Sequence, residues 1–198
     1  MLVTQHCSSF PVGIRATVYR LPFARVEAMR KGTAAWREFD SDAGVIFRAE
    51  REEQGKLPFI GGTDALGCGD LDKAWSALRY LLDPARRDGR DDPSTPGGAA
   101  VAGWHSLPDF YRQEFDYIPG YNTPDETAEI AEALRRTDFA AALDEHGPSL
   151  HEAQLYYPYL GEPFDEGARD YLTFYFGVVQ SLYTEAANQE QATLTTLG

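Results

Sequence analysis

The C-terminal segment constrains the fold most. Between residues 165 and 187, Leu172, Tyr175, Phe176, Val179, Leu182 and Ala186 recur at helical spacing, with Tyr171, Phe174, Val178 and Tyr183 beside them. A helix apolar over so much of its circumference must be covered on several sides, so it reads as the central core helix. Residues 192–197 then alternate small or polar residues with leucine and read as a closing strand. Residues 13–20 alternate apolar and polar at period two, a half-buried strand. Strand signals at both ends with helices between give an α+β class. The expectation is one domain over 1–198, a small mixed sheet covered by helices 71–83, 124–136 and 165–187. A chain of 198 residues buries about 70% of its unfolded surface and needs no staple.

Between the ends the signals vary in strength. A short helix is expected over 24–30, and a second from Thr33 through Trp36 and Phe39. The apolar run 44–47 fits strand or helix. Residues 54–70 carry Gly55, Gly61, Gly62, Gly67 and Gly69 and read as loop. Asp70 then reads as the cap of a helix over 71–83 with Leu71, Trp75, Leu78 and Leu82 as its stripe, Trp75 being a core anchor. Residues 84–98 are rich in Pro, Gly, Asp and Arg and read as an exposed, mobile loop, followed by a short strand over 99–104. Thr123-Pro124-Asp125-Glu126 is a capping box with proline at the first helical position. A short helix over 138–145 follows, and Ser149 with Glu152 offers another capping box.

Charge is unevenly spread. The net charge is −13. Residues 1–108 carry 14 basic and 14 acidic side chains, whereas 109–170 carry 4 basic and 15 acidic, a local −11. Such a field repels phosphate backbones, which argues against nucleic acid, and attracts a basic protein or a cation. It also keeps a protein soluble. Arginine outnumbers lysine fifteen to three, the bias of a GC-rich bacterial genome. Cys7 and Cys68 are too few for a disulfide framework. The start shows no secretory pattern and no stretch is long and apolar enough for a membrane span, so the expectation is a cytoplasmic protein without a membrane partner.

Chemistry-bearing residues are scattered. His105, beside Trp104, and His151 are candidate proton-transfer groups. His146, His151, Glu145 and Glu152 lie close in sequence, yet the HExxH pattern is absent and no metal site is assigned. Cys68 sits between two glycines and reads as a small loop residue. Glycines 61, 62, 67 and 69 match no phosphate-binding motif, and Asp70 and Asp72 would repel phosphate, so no nucleotide or other cofactor is expected. Candidate binding residues are the aromatics within or beside the acidic segment, Trp104, Tyr117, Tyr121, Tyr156, Tyr157 and Tyr159, with Asp116. Rings with a polar handle suit interfaces and pockets.

The strings LDKAWSALRYLL (71–82), FDYIPGYNTPDETAEIAEAL (115–134) and YLTFYFGVVQSLYTEAANQEQATLTTL (171–197) resemble the YfbM-like family of small bacterial proteins, a domain of unknown function. The resemblance covers roughly 13–197 and implies a single α+β domain with no assigned catalytic residues. Family members begin near the first strand, so residues 1–11 read as an N-terminal extension. Together these features favour a non-enzymatic binding module whose segment 109–165 engages a basic protein partner, as an inhibitor or immunity-type protein would. The alternatives are a small hydrolase-like or ligand-binding pocket using His105 or His151, and a purely structural or oligomeric role. The oligomeric state is not encoded in any sequence feature.

Overall fold

The computed structural model describes residues 15–54, 60–63, 66–115, 117–150 and 164–197, with the backbone alone over 44–54, 60–63 and 113–115. The chain runs β1 (Ala16–Leu21), α1 (Phe23–Lys31), α2 (Thr33–Gln54), β2 (Ile60–Thr63), β3 (Leu66–Asp72), α3 (Trp75–Leu82), α4 (Pro84–Arg87) and α5 (Pro96–Ala102). It continues β4 (His105–Ser106), α6 (Phe110–Phe115), β5 (Gly120–Asn122), α7 (Pro124–Arg136), α8 (Phe139–His146), a 3-10 turn (Gly147–Leu150), α9 (Glu166–Asn188) and β6 (Ala192–Leu197). The strands form one sheet in the order β2-β3-β1-β6-β5-β4. The α+β class holds, while every strand pair is antiparallel where a mixed sheet was expected.

The sheet separates two cores. Val18 and Leu71 face α3, α5, α7, α8 and α9, packing with Leu78, Ile130, Leu172, Val179 and Tyr183. Leu21 and Leu194 face the other way, towards Met29, Trp36, Phe39, Leu107 and Tyr111. Period two along β1 and β6 therefore feeds both layers, since successive side chains leave a strand on opposite faces. The C-terminal helix is the central element expected, with Asp165 capping it through a 2.8 Å bond from the Ala168 N–H. The capping box of α7 also forms: Thr123 Oγ1 accepts from the Glu126 N–H, and the Glu126 carboxylate accepts from the Thr123 N–H at 2.8 Å.

The glycine-rich stretch before α3 is the main departure. Residues 60–63 and 66–72 are strands, not loop. Their glycines answer to distant neighbours. A Cβ on Gly67 would stand 2.4 Å from Arg20 Nε, and one on Gly69 would stand 3.0 Å from Val178 Cγ1. Arg20 is buried across β3 because its guanidinium donates to Glu185 at 2.6 Å and to Gln189 and Gln191 at 2.9 Å each. Asp70 and Asp72 end β3, and α3 starts only at Trp75. The Asp70 carboxylate accepts the Asp72 N–H at 2.8 Å, a tight turn whose sequence imitates a helix cap. Asp72 sits at φ 46 and accepts from Arg15 Nε at 2.9 Å.

Residues 84–98 are more structured than an exposed loop. They open with α4 and run into α5, leaving residues 88–92 exposed. Buried Asp83 organises the stretch by accepting from the Ala85 N–H, the Ser94 N–H and the Ser94 hydroxyl. Its carboxylate lies where a Cβ on Gly98 would be, so residues 96–102 form a helix that only glycine admits at that point. The short strand expected over 99–104 is thus the end of α5 and the turn into β4.

Two glycine substitutions separate these effects. Gly177, within α9, has nothing within 4 Å of its would-be Cβ. Gly177→Ala is expected to stabilise the chain by about 0.5–1 kcal/mol through helix propensity. Gly67→Ala is expected to destabilise it by about 1–3 kcal/mol because Arg20 is pinned. Urea unfolding of both variants checks the opposite signs.

Candidate binding sites

The site region grows from β5. Asn122 is fully buried, and its Oδ1 accepts the Trp104 N–H at 2.7 Å. Its Nδ2 shares two protons among Ala99 O at 3.2 Å, Tyr183 Oη at 2.9 Å and Thr193 Oγ1 at 3.0 Å. The Tyr183 hydroxyl donates in turn to Ala100 O at 3.1 Å. Burial pushes the Tyr183 phenol well above its ordinary pKa, so it stays a donor. This network joins α5, β5, α9 and β6 and fixes the turn that presents Trp104. Gly103 at φ 81 and Gly120 allow that turn to lie against β5, since a Cβ on Gly120 would overlap the Ala102 carbonyl.

Beside the turn lies a cavity of about 210 Å³. Trp75 and Arg79 of α3, Trp104, Thr195 and Leu197 line it, and Asp91 and Asp92 stand at its rim. Trp75 is accordingly half-buried, packing on the core with part of its ring on the cavity rather than wholly inside. A second cavity, about 300 Å³, opens on the other face of the sheet. Arg15, Tyr19, Trp36, Asp40, Asp70 and Tyr117 are among its walls. Burial raises the Tyr117 phenol to about 12, and hydrogen bonding to Thr196 offsets only part of that. Tyr19 shifts further in the same direction, for the same first reason.

The sequence candidates separate accordingly. Trp104 and Tyr117 reach cavities, one on each face. Tyr121 does not: it is 5% exposed, stacks on the His105 ring and packs in the second core. Its place in β5 turns it inward, which corrects its reading as a binding residue. Tyr111 is likewise core, its hydroxyl donating to Met29 O at 2.9 Å. His151, Tyr156, Tyr157, Tyr159 and Asp116 lie outside the described residues, as do residues 1–11. Sequence reasoning passed over Arg79, Thr195 and Asn122. An arginine within an apolar helix stripe was the available signal for the first.

His105 is exposed and lines neither cavity. Its Nε2 stands 2.7 Å from Glu126 Oε1. That carboxylate already serves the cap of α7. Burial acts to raise the Glu126 pKa, but bonds from Thr123 and His105 outweigh it and hold the group below the ordinary carboxylate range. The pair braces a helix start. His146, at the end of α8, stands 3.6 Å from Glu145. Among the described residues no group of three His, Cys, Asp or Glu is placed to hold a metal.

Residues 13–196 match the model of a domain of unknown function, DUF1877. The chain belongs to the DUF1877 family. Escherichia coli YfbM, a protein of unknown function, has a similar solved structure: 19% identity, 93% of this chain and 99% of that chain covered, TM-score 0.55. At that identity the likeness speaks to the fold of this DUF1877 domain alone. No curated protein matches the chain.

The cap of α7 carries a pH signature. Because the folded pKa of Glu126 is depressed, its stabilisation is present above the unfolded value, about 4.3, and is lost as pH falls through the folded value. Glu126→Gln is expected to cost about 1 kcal/mol at pH 7, with the gap to the parent shrinking below about pH 4. Thermal unfolding across that range reads both.

Proposed function

We propose that this domain is a non-enzymatic binding module of the bacterial cytoplasm, whose acidic helical layer engages a basic protein partner. The observation that carries this reading is the position of uncompensated carboxylates. Asp125 and Glu129 on α7 and Glu166 and Asp170 on α9 are exposed, with no ion-pair partner among the described residues. The helices α7 and α9 pack side by side on one face of the sheet, so these charges belong to one layer. Glu132, by contrast, is held by Arg135 and Arg136, and Asp144 by Arg169 at 2.6 Å. On the opposite face the short helix α1 carries Arg25, Arg30 and Lys31 against a single Glu27, and Arg25 is paired with Asp42 of α2 at 2.6 Å.

An acidic layer of this kind speeds encounter with a basic surface and makes the complex sensitive to salt. It disfavours nucleic acid. No described helix is long and apolar enough to cross a membrane. The hydrolase-like alternative draws no support from His105, whose neighbouring carboxylate is engaged in a helix cap.

The test is capture from host lysate on immobilised protein. The reading expects a basic protein that elutes as salt rises from low to physiological ionic strength. It also expects that protein to be lost on a variant carrying Asp125→Asn, Glu129→Gln, Glu166→Gln and Asp170→Asn together. Capture that survives both the salt and the four neutralisations would overturn it, as would the absence of any basic partner.

A further inference from the structure

We propose that the cavity between α3, α5 and β6 binds a small monocarboxylate with a flat, apolar body. This goes beyond the reading of the acidic helices, since it concerns a different surface and a different ligand.

The first argument is unsatisfied polarity. Arg79 Nε and Nη2 are buried and have no hydrogen-bond partner among the described residues. The same is true of Thr195 Oγ1, on a residue only 5% exposed. Both residues line this cavity, with the unpaired atoms closed to solvent, so a ligand meets them as the two side chains turn towards it. Buried donors are almost always paired, and a charged donor left alone is the costly exception. Two such residues on one cavity point to a polar group that completes them.

The second argument is the shape of the missing partner. Nε and Nη2 form one flat edge of the guanidinium fork, which matches the two oxygens of a carboxylate. This chain shows that geometry elsewhere: Arg135 Nε and Nη2 donate to the two carboxylate oxygens of Glu132 at 2.8 and 2.7 Å. Arg79 offers the same edge without the carboxylate. Burial and the neighbouring Arg86 act to lower the Arg79 pKa, while Asp91, Asp83 and Asp92 act against them, and the net direction is down. A bound anion would relieve that burden.

The walls then specify the rest of the ligand. Trp75 and Trp104 supply indole surface, and Val101, Ile118 and Leu197 supply apolar surface, which suits a planar body. A cavity of about 210 Å³ limits the body to a single ring or its equivalent. The rim selects on charge. Asp91 and Asp92 are exposed at the mouth, Asp91 paired with Arg86 at 2.8 Å. A dianion such as a phosphate monoester meets repulsion there, and a singly charged carboxylate matched by Arg79 meets less.

The probe is benzoate, titrated into the full chain and followed by calorimetry and tryptophan fluorescence. Trp36 lies in the other core, so Trp36→Phe should keep the fluorescence response. The expected result is saturable binding, weaker for acetate, which lacks the ring, and for phenyl phosphate, which carries the extra charge. Arg79→Gln should raise the benzoate Kd about tenfold or more, equivalent to about 1.4 kcal/mol. Thr195→Val should weaken binding as well. If Arg79→Gln does not fold by circular dichroism, Arg79→Lys takes its place: it keeps the charge but not the fork, and should also weaken binding. No saturable response would overturn the proposal. So would unchanged benzoate affinity in the folded Arg79 variant, or benzamidine, a ring of opposite charge, binding as tightly as benzoate. None of these results bears on capture of a basic protein, so the two readings can fail separately.

Discussion

One buried amide holds the two halves of the chain together. Asn122 lies on the shortest internal strand, yet it bonds to α5, to the central helix α9 and to the closing strand β6. Each partner lies in a different segment of sequence. Burying an amide is costly unless all its valences are met, and here they are. The position of Trp104, the turn at Gly103 and the packing of α5 on β5 follow from that network. An apolar residue at 122 would leave the Trp104 N–H and the Ala99 carbonyl without those partners, so the constraint works in one direction only.

What was legible in the sequence was local. The capping box at Thr123 was readable because a cap is decided within four residues. The C-terminal helix and β6 were readable because periodicity is a property of the segment itself. The family likeness was readable from strings in the same helices. The failures share the opposite character. Glycines 67 and 69 looked like loop punctuation because their reasons, Arg20 and Val178, lie far along the chain. Asp70 looked like a cap because an aspartate that bonds an N–H two residues on has the same residue type as one that caps a helix. Asp83 was passed over because its role depends on Ser94 and Gly98 across a turn.

The candidate sites follow the same rule. Tyrosine enrichment was visible in composition, but composition does not say which face of a strand a ring leaves from. Tyr121 went inward and Tyr117 to a cavity although they are four residues apart. Arg79 drew no notice because an arginine on a helix is ordinary; only three-dimensional placement showed that its edge is shielded and unmatched. The His105–Glu126 pair has the composition of a proton-transfer couple, and the capping bonds of Glu126 give it a structural role.

The alternation of β6 has one more effect. Thr195 borders the chamber under α3, Thr196 the chamber under α2, and Leu197 touches both. The sheet is therefore a party wall one residue thick at that point. Trimming or enlarging the Leu197 side chain remodels two compartments at once, and neither can be redrawn at that position in isolation.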